Sequence, residues 1–445
     1  MKKLLISISL LFSTVFAADA LIKTITDGNF VFEVDTENGT AELLRLVNND
    51  IADLQIPRVA HDGSTQFLVN ELGNQALNGC SKIKSLVITD NITMLYKDAF
   101  LGCTSLTEIE FQESSRNLTL LSEWDDTGDH KLLGDSPLEK IIFNRPCSNL
   151  KPYAPFKGKP TLREAYLGKE LGTVPNSMFA DCENLEKAVL DEGITQLERN
   201  AFSGCTSLAS VTLPSSLKII ENFAFENCSS LPVLNLPADV TNIPTGMCRG
   251  CTSLLSITIP EGTVYIHSDA FRNCSAAKSL TFNGSPMAIE KSAFKGCSSI
   301  EDIRIPDMVQ SIADEAFNNC PNVKRLYLPA SLISIGQQAF CNCESLAEIT
   351  CDAVQPPIIE CFTFSYVDKT TCRLNIPEAS TEAYRTAPYW NEFFTTDGIN
   401  SINQDSTGHD QEWYTLNGLK LPSKPGTKGI YILRQGNTTR THQVH

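Results

Sequence analysis

Apolar residues recur along most of this chain in a pattern that repeats every 23 residues. In one copy the apolar positions are Phe202, Cys205, Leu208, Val211 and Leu213. Because the last two positions alternate with polar residues, they predict a short strand with both side chains directed inward. The proline that follows has no N–H to donate and therefore predicts the end of the strand. A fixed period of this length predicts a solenoid, in which each coil stacks on the next.

The segment before each repeat cysteine predicts the rest of the coil. Residues 222–226, with Ala224 and Phe225 directed inward, predict one short helical turn. The residue before each repeat cysteine is Gly, Asn or Asp, the types that best tolerate a left-handed backbone where a helical turn stops. The predicted fold class is therefore an α/β repeat solenoid with a parallel β ladder, short helical turns and an apolar crossing in each coil.

Stacking the coils places equivalent residues in columns through the interior. The cysteine column includes Cys205, Cys228, Cys251, Cys274, Cys297 and Cys320, and the phenylalanine column includes Phe202, Phe225, Phe271, Phe294, Phe317 and Phe340. Buried free thiols behave as small hydrophobic groups, so these cysteines are predicted to have a structural role. The strand segments predict about thirteen coils between residues 48 and 351, followed by a closing coil.

The two ends of the chain depart from the repeat. Lys2 and Lys3, an apolar run and then small residues predict a signal peptide over residues 1–18. Residues 30–34 and 40–46 predict a β-hairpin within an N-terminal β cap over residues 19–47, which would cover the edge of the first coil. The solenoid is assigned to residues 48–395, a polar linker to 396–411 and a small C-terminal β-module to 412–445. No later stretch is long and apolar enough to predict a transmembrane segment.

The motif A-F-x-x-C-x-x-L-x-x-I-x-L-P is carried nearly letter for letter by residues 201–214 and 316–329. With its 23-residue period, it closely resembles the BspA-like leucine-rich repeat family over about two-thirds of the chain. The resemblance implies a curved leucine-rich-repeat stack and an exported or surface protein of bacteria or of some protozoa. Characterised members of this family act as adhesins that bind host matrix proteins or other cells. Residues 413–418 and 429–433 resemble a C-terminal module of exported proteins from anaerobic Gram-negative bacteria, which often serves sorting or surface attachment.

Charge and motifs restrict the chemistry. A net charge of −16 disfavours nucleic acid as a partner, because phosphates would be repelled. The sequence contains no H-E-x-x-H, no G-x-S-x-G and no phosphate-binding glycine loop, so neither a catalytic site nor a cofactor is predicted. Cys248 and Cys251 lack the second ligand pair that a structural zinc site needs. Spacing alone makes Cys361 and Cys372 the pair best placed for a disulfide in an exported protein.

Two regions are candidates for binding a ligand. The outward positions of the strands form one continuous face, on which aromatic and charged residues are the expected anchors. These candidates are Tyr166, Lys187, Asp302, Arg304, Arg325 and Tyr327. The second region interrupts the repeat after Cys103 and holds Trp124, Asp125 and Asp126. Insertions in repeats form loops that can carry function, although Trp124 would equally fit packing over an irregular coil.

The leading hypothesis is a non-catalytic secreted or cell-surface protein that adheres to an extracellular protein or glycan. One alternative is a carbohydrate-capture component of a nutrient system, in which Trp124 would contact the sugar. Another is a purely structural surface protein without a soluble ligand, and a third is an enzyme of an unrecognised type with a carboxylate in a cleft. The expected location is outside the cell, at the surface of a Gram-negative bacterium, and the sequence predicts no oligomeric state.

Overall fold

The computed structural model describes residues 22–96, 98–121, 133, 136–147, 154, 156–394, 411–414, 420–421, 429–435 and 438–444. The strands up to residue 121 are β1 (Ile22–Asp27), β2 (Phe30–Asp35), β3 (Thr40–Leu46), β4 (Asp53–Gln55), β5 (Val59–Asp62), β6 (Thr65–Leu72), β7 (Ser85–Ile88), β8 (Met94–Tyr96), β9 (Glu108–Phe111) and β10 (Thr119–Leu121). The strands from residue 140 to residue 289 are β11 (Lys140–Phe143), β12 (Glu164–Leu167), β13 (Thr173–Val174), β14 (Lys187–Leu190), β15 (Gln196–Leu197), β16 (Ser210–Thr212), β17 (Ile219–Ile220), β18 (Asn242–Ile243), β19 (Ser256–Ile259), β20 (Tyr265–Ile266), β21 (Ser279–Phe282) and β22 (Ala288–Ile289). The remaining strands are β23 (Asp302–Arg304), β24 (Ser311–Ile312), β25 (Arg325–Leu328), β26 (Ser334–Ile335), β27 (Glu348–Cys351), β28 (Ile358–Ile359), β29 (Arg373–Asn375), β30 (Gln411–Tyr414), β31 (Lys420–Leu421), β32 (Gly429–Gln435) and β33 (Thr438–Val444). The helical segments are α1 (Thr381–Thr386) and three 3-10 turns at Lys169–Leu171, Glu378–Ser380 and Trp390–Phe393.

Two ladders of parallel strands run along the solenoid. The strand face is a row of parallel strands in three paired groups, which are β4, β7, β9, β11, β12, β14 and β16, then β19 and β21, and then β23, β25, β27 and β29. The second ladder consists of two-residue strands in two paired groups, β13, β15 and β17 and then β18, β20, β22, β24, β26 and β28. In most strand pairs of both ladders a residue lies opposite the residue 23 positions later, as Lys187 does opposite Ser210, whereas the offset is 32 between β9 and β11 and 24 between β11 and β12. The predicted stack of parallel coils is therefore the observed architecture.

The strand face has one gap where the repeat predicts a strand, at residues 233–236. In the preceding coil, the N–H of Ala209 donates to the carbonyl of Glu186 at 2.9 Å. Pro232 occupies the equivalent position in the next coil and has no N–H, so it cannot donate to Ala209 in the same way. Twelve strands consequently lie on the strand face between residues 48 and 351, before the closing strand β29.

The short helical turn predicted before each cysteine is not confirmed, and with it the α/β class. The N–H groups of Ala201 and Ser203 donate within their own coil, to Glu198 and Asn200. The N–H groups between them donate to the next coil. That of Phe202, for example, donates to the carbonyl of Ala224. Because only every second N–H is bonded locally, this segment is a ladder of turns rather than a helix. We call this third side of the solenoid the turn side.

Two left-handed residues in each coil produce the turn side. The residue before the cysteine is left-handed as predicted, with φ of 78° at Gly204 and 58° at Asn227. A second left-handed residue, four positions earlier, was not predicted, and examples are Asn200 at 58° and Phe223 at 62°. These two positions reverse the backbone twice, so that alternate N–H groups face the neighbouring coil.

The interior is built from the predicted columns. Phenylalanine rings stack along the solenoid, with centroids 5.6 Å apart for Phe202 and Phe225 and 5.1 Å apart for Phe294 and Phe317. Repeat thiols also donate hydrogen bonds to backbone carbonyls of the preceding coil, as Cys205 does to Phe179 at 3.1 Å. Nine cysteines make this bond. The cysteine column therefore links the coils by polar as well as apolar contacts.

All sixteen cysteines are unbridged, and fifteen of them are buried. The disulfide considered between Cys361 and Cys372 is not formed in the structure. Cys372 packs in the interior, whereas Cys361 is half-exposed and accepts a hydrogen bond from the amide of Gln337 at 3.6 Å. Burial raises the pKa of the interior thiols, to about 12 for Cys297. These thiols therefore remain protonated donors at neutral pH.

A buried arginine stabilises the irregular region that follows β11. Arg145 is fully buried, and its guanidinium donates to the backbone carbonyls of Thr89 at 3.3 Å and Asp90 at 3.1 Å, and to that of Ile92. Burial lowers the pKa of Arg145 to about 10. The side chain thus bonds to the turn between β7 and β8 from a part of the chain outside the regular repeat.

The N-terminal hairpin of β2 and β3 is antiparallel and continues through β6, β8 and β10. Its inner face is apolar, with Phe32, Val34 and Leu43 fully buried.

At the C-terminal end of the chain, β30 to β33 form a separate four-stranded antiparallel sheet. The predicted signal peptide and most of the predicted linker lie outside the described residues. None of the helices in the described ranges has the length and apolar character needed to span a bilayer.

Replacing Arg145 with Met should lower the free energy of unfolding by about 2 to 4 kcal/mol, because three buried carbonyls lose a charged donor. The measurement is a urea denaturation curve followed by circular dichroism. Arg163→Met is the control, since Arg163 makes an exposed ion pair with Glu186 that should contribute less than about 1 kcal/mol. Equal losses in the two variants would contradict a special role for Arg145.

Thiol reactivity should match the burial pattern. In the native chain, a maleimide should label about one cysteine rapidly, and that residue should be Cys361. After denaturation without reductant, all sixteen should react. Cys361→Ser should remove the fast reaction, whereas Cys341→Ser, which removes a buried thiol, should not. A denatured count of fourteen together with an unreactive Cys361 would instead indicate the Cys361–Cys372 disulfide.

Candidate functional site

The strand face brings four of the sequence candidates together near the C-terminal end of the solenoid. Asp302 lies opposite Arg325, and Arg304 lies opposite Tyr327, on adjacent strands β23 and β25. Strand β27 continues the row, with Glu348 opposite Arg325. Because the strands are parallel and in register, residues 23 positions apart become lateral neighbours. The repeat alone therefore assembles this group from three coils.

Two ion contacts fix the side chains of this group. Arg325 donates from Nε and Nη2 to the two carboxylate oxygens of Asp302, at 2.7 and 2.6 Å. These hydrogen bonds hold the pKa of the Asp302 carboxyl below its usual value. Both side chains are exposed, so the pair contributes little to stability and leaves the outer surface of the guanidinium accessible.

The second contact joins Arg304 to an aromatic ring. The guanidinium carbon of Arg304 lies 3.9 Å from the centre of the Tyr327 ring. The hydroxyl of Tyr327 donates to the carboxylate of Asp352. Burial, together with this carboxylate, raises the pKa of Tyr327, so the phenol remains protonated at neutral pH. Tyr327 is thereby held in one orientation from both ends of its ring.

These residues line a shallow groove of about 300 Å³, which we call the Arg304 groove. Its lining side chains on the outward positions are Asp302, Arg304, Arg325, Tyr327, Glu348 and Thr350. The groove is open to solvent and presents charges of both signs beside an aromatic ring. Such a surface is suited to recognising a protruding polar segment of a partner, since it does not enclose a small molecule.

Tyr166 and Lys187 form a separate cluster, seven repeats towards the N-terminus from Tyr327. The Lys187 ammonium lies 5.1 Å from the centre of the Tyr166 ring, and Lys140 lies over the same ring at 5.8 Å. The hydroxyl of Tyr166 donates to Glu164 at 2.8 Å. At roughly 4.8 Å per coil, the two tyrosines are about 34 Å apart, so the structure does not bring these clusters into one site.

The strand face between the two clusters is nearly uncharged. Its outward positions are Ser210, Thr212, Val233, Asn235, Ser256, Thr258, Ser279 and Thr281. Threonine and serine are ordinary residues at exposed strand positions, so this strip needs no functional explanation. The strip sets the two charged clusters apart as distinct features of the face.

The structure adds residues that the sequence did not single out. Glu348 and Thr350 lie 23 residues after Arg325 and Tyr327, in the same columns. This spacing is visible in the sequence and could have identified both residues. Asp352 follows β27 directly and was found only through its contact with Tyr327.

The other candidate group, Trp124, Asp125 and Asp126, lies outside the described residues. Within the described ranges, no group of three or more His, Cys, Asp or Glu residues is arranged to hold a metal ion.

The repeat columns and this fold agree with a known family. The BspA type leucine-rich repeat region matches residues 65–163, 172–300 and 287–407, in six copies. Because these matches span well over half of the sequence, the chain belongs to the BspA-type leucine-rich repeat family. The resemblance inferred from the motif is therefore confirmed.

Solved structures with similar folds come from several bacteria. A leucine-rich repeat protein from Bacteroides ovatus is 19% identical, over 80% of this chain and 100% of its own, with a TM-score of 0.46. A leucine-rich cell surface protein from Faecalibacterium prausnitzii is 23% identical, over 74% and 94% of the two chains, with a TM-score of 0.34. The pneumococcal vaccine antigen PcpA is 18% identical, over 80% and 87%, with a TM-score of 0.39. No curated protein matches the sequence significantly.

Proposed function

We propose that this chain is a non-catalytic binding protein of the bacterial cell surface, and that the Arg304 groove contacts a protein ligand. The observation that carries the proposal is the stacked pair of Arg304 and Tyr327, in a groove that also presents Asp302 and Arg325. Membership of a family of surface leucine-rich repeat proteins supports the general role. Adhesion to a host protein is the specific task proposed, with the signal peptide predicted over residues 1–18 providing export.

The chemistry of the groove supports a protein ligand. Tyrosine and arginine are over-represented among the residues that dominate binding energy at protein interfaces. Asp352 and Arg304 already hold Tyr327 in place, so little conformational entropy would be lost when a ligand contacts it. Arg304 has no ion pair among the described residues, and its donors therefore remain available to a partner.

The ligand should be sought on one array that carries both extracellular host proteins and glycans. Binding of the full chain to a protein should weaken at least tenfold in Tyr327→Ala and in Arg304→Ala, because residues of this kind commonly contribute about 2 kcal/mol or more. Surface plasmon resonance with the captured ligand gives the dissociation constants. Thr258→Ala and Thr281→Ala are matched controls on the uncharged strip of the same face, and they should bind like the parent chain.

The other outcomes separate the rival functions. Binding to a glycan that Tyr327→Ala leaves unchanged would favour carbohydrate capture at another site. No saturable binding to proteins or glycans would favour a purely structural surface role. Equal weakening by the groove variants and the strip variants would refute the assignment of the Arg304 groove.

A further inference from the structure

The closing coil carries a second pocket, on the turn side, with exposed aromatic residues at its rim. Phe362 and Tyr389 line this pocket, and their side chains are 59% and 41% exposed. The pocket also contains Glu360, Lys369 and Glu392. Most large aromatic side chains among the described residues are packed in the interior, so two exposed rings around one pocket call for a physical explanation.

The same column of the solenoid indicates what covers an aromatic ring at this position. Phe223 and Phe362 occupy the second left-handed position of their coils, with φ of 62° and 65°. The ring of Phe223 lies between two guanidinium groups, that of Arg199 from the preceding coil at 5.2 Å and that of Arg249 from the following coil at 5.1 Å. At Phe223, a ring in this column of the turn side is therefore covered by cations from both neighbouring coils.

Phe362 lacks those cations. In the coil before that of Phe362, the position equivalent to Arg199 holds the neutral residue Gln337. The second ladder ends at β28, and no described coil follows to supply an equivalent of Arg249. Across the described ranges, no Lys or Arg lies over the ring of Phe362. Among the described residues, the face of this ring is consequently open to a further cation.

The charges at the pocket favour the same kind of ligand. Lys369 pairs with Glu392 at 3.1 Å, and these two charges compensate each other. The carboxylate of Glu360 is exposed and forms no ion pair with any described residue. The pocket therefore has one uncompensated negative charge, on a chain whose net charge is −16. An aromatic face next to a free carboxylate is a favourable site for an ammonium or guanidinium group.

The size of the pocket limits what can enter. Its volume is about 150 Å³, which is below the range of roughly 300 to 1,000 Å³ typical of pockets for small-molecule ligands. A single long side chain fits this space better than a whole cofactor or metabolite does. We propose that this pocket receives a lysine or arginine side chain of a partner protein, with Phe362 and Tyr389 against the cation and Glu360 as its counter-ion. The site lies on a different side of the solenoid from the Arg304 groove and does not depend on the function proposed for that groove.

The test measures binding of fluorescein-labelled hexalysine and hexaarginine to the full chain by fluorescence anisotropy at 150 mM salt. Phe362→Leu keeps an apolar side chain but removes the aromatic face, and it should weaken binding roughly two- to fivefold. Tyr389→Leu and Glu360→Gln should each weaken binding to a similar extent. A labelled hexaglutamine peptide should not bind measurably.

Two control variants separate this site from general attraction to an acidic surface. Glu344→Gln removes the same charge from an exposed position outside the pocket, and it should change the affinity less than Glu360→Gln does. Tyr327→Ala alters the Arg304 groove and should leave peptide binding unchanged. The proposal is overturned if Phe362→Leu binds like the parent chain, if Glu344→Gln weakens binding as much as Glu360→Gln, or if only Tyr327→Ala abolishes binding.

Discussion

The hydrogen bonds between neighbouring coils, most of them in a register of 22 or 23 residues, are the constraint on which the rest of this structure depends. They occur on all three sides of the solenoid: between β14 and β16 on the strand face, between β15 and β17 on the second ladder, and from Phe202 to Ala224 on the turn side. An isolated coil would leave these backbone groups unpaired and its apolar face exposed. A shift of one residue in any coil would move its inward side chains to the surface. The spacing of the repeat is therefore under stronger constraint than most of its individual residues.

The same register determines where surface chemistry is found. Side chains 23 residues apart are in lateral contact, so an acid in one coil meets a base in the next, as Asp302 meets Arg325. Clusters on this protein are thus built across coils from residues that are distant in sequence. Where the repeat is interrupted, the single long side chain of Arg145 adds hydrogen bonds to a turn of another coil.

The sequence predicted the columns well, because each column is defined by residue types that have a physical reason to be there. Left-handed Gly204 and Asn227 were predictable, since glycine and asparagine tolerate that backbone. The second left-handed position was not predictable, because Phe223 and other residues without such a preference occupy it. The predicted helical turn was not confirmed. The hydrogen bonds that exclude a helix join one coil to the next, so they produce no pattern in the spacing of neighbouring residues along the sequence. The grouping of Asp302, Arg304, Arg325 and Tyr327 followed from the register, whereas the contact of Tyr327 with Asp352 depends on side-chain conformation.

The gap at residues 233–236 has a mechanical consequence. The second ladder is also interrupted at this junction, between β17 and β18, so two of the three sides lose strand pairing at the same place. Strand pairing on the strand face stops again between β21 and β23, but there the second ladder continues through β22 and β24. The junction after β17 therefore separates two blocks of paired coils, and we expect local opening to be easiest where both ladders stop. The Tyr166 cluster belongs to one block and the Arg304 groove to the other. Under an applied force, we expect the distance and angle between these two clusters to change more readily than the geometry within either of them.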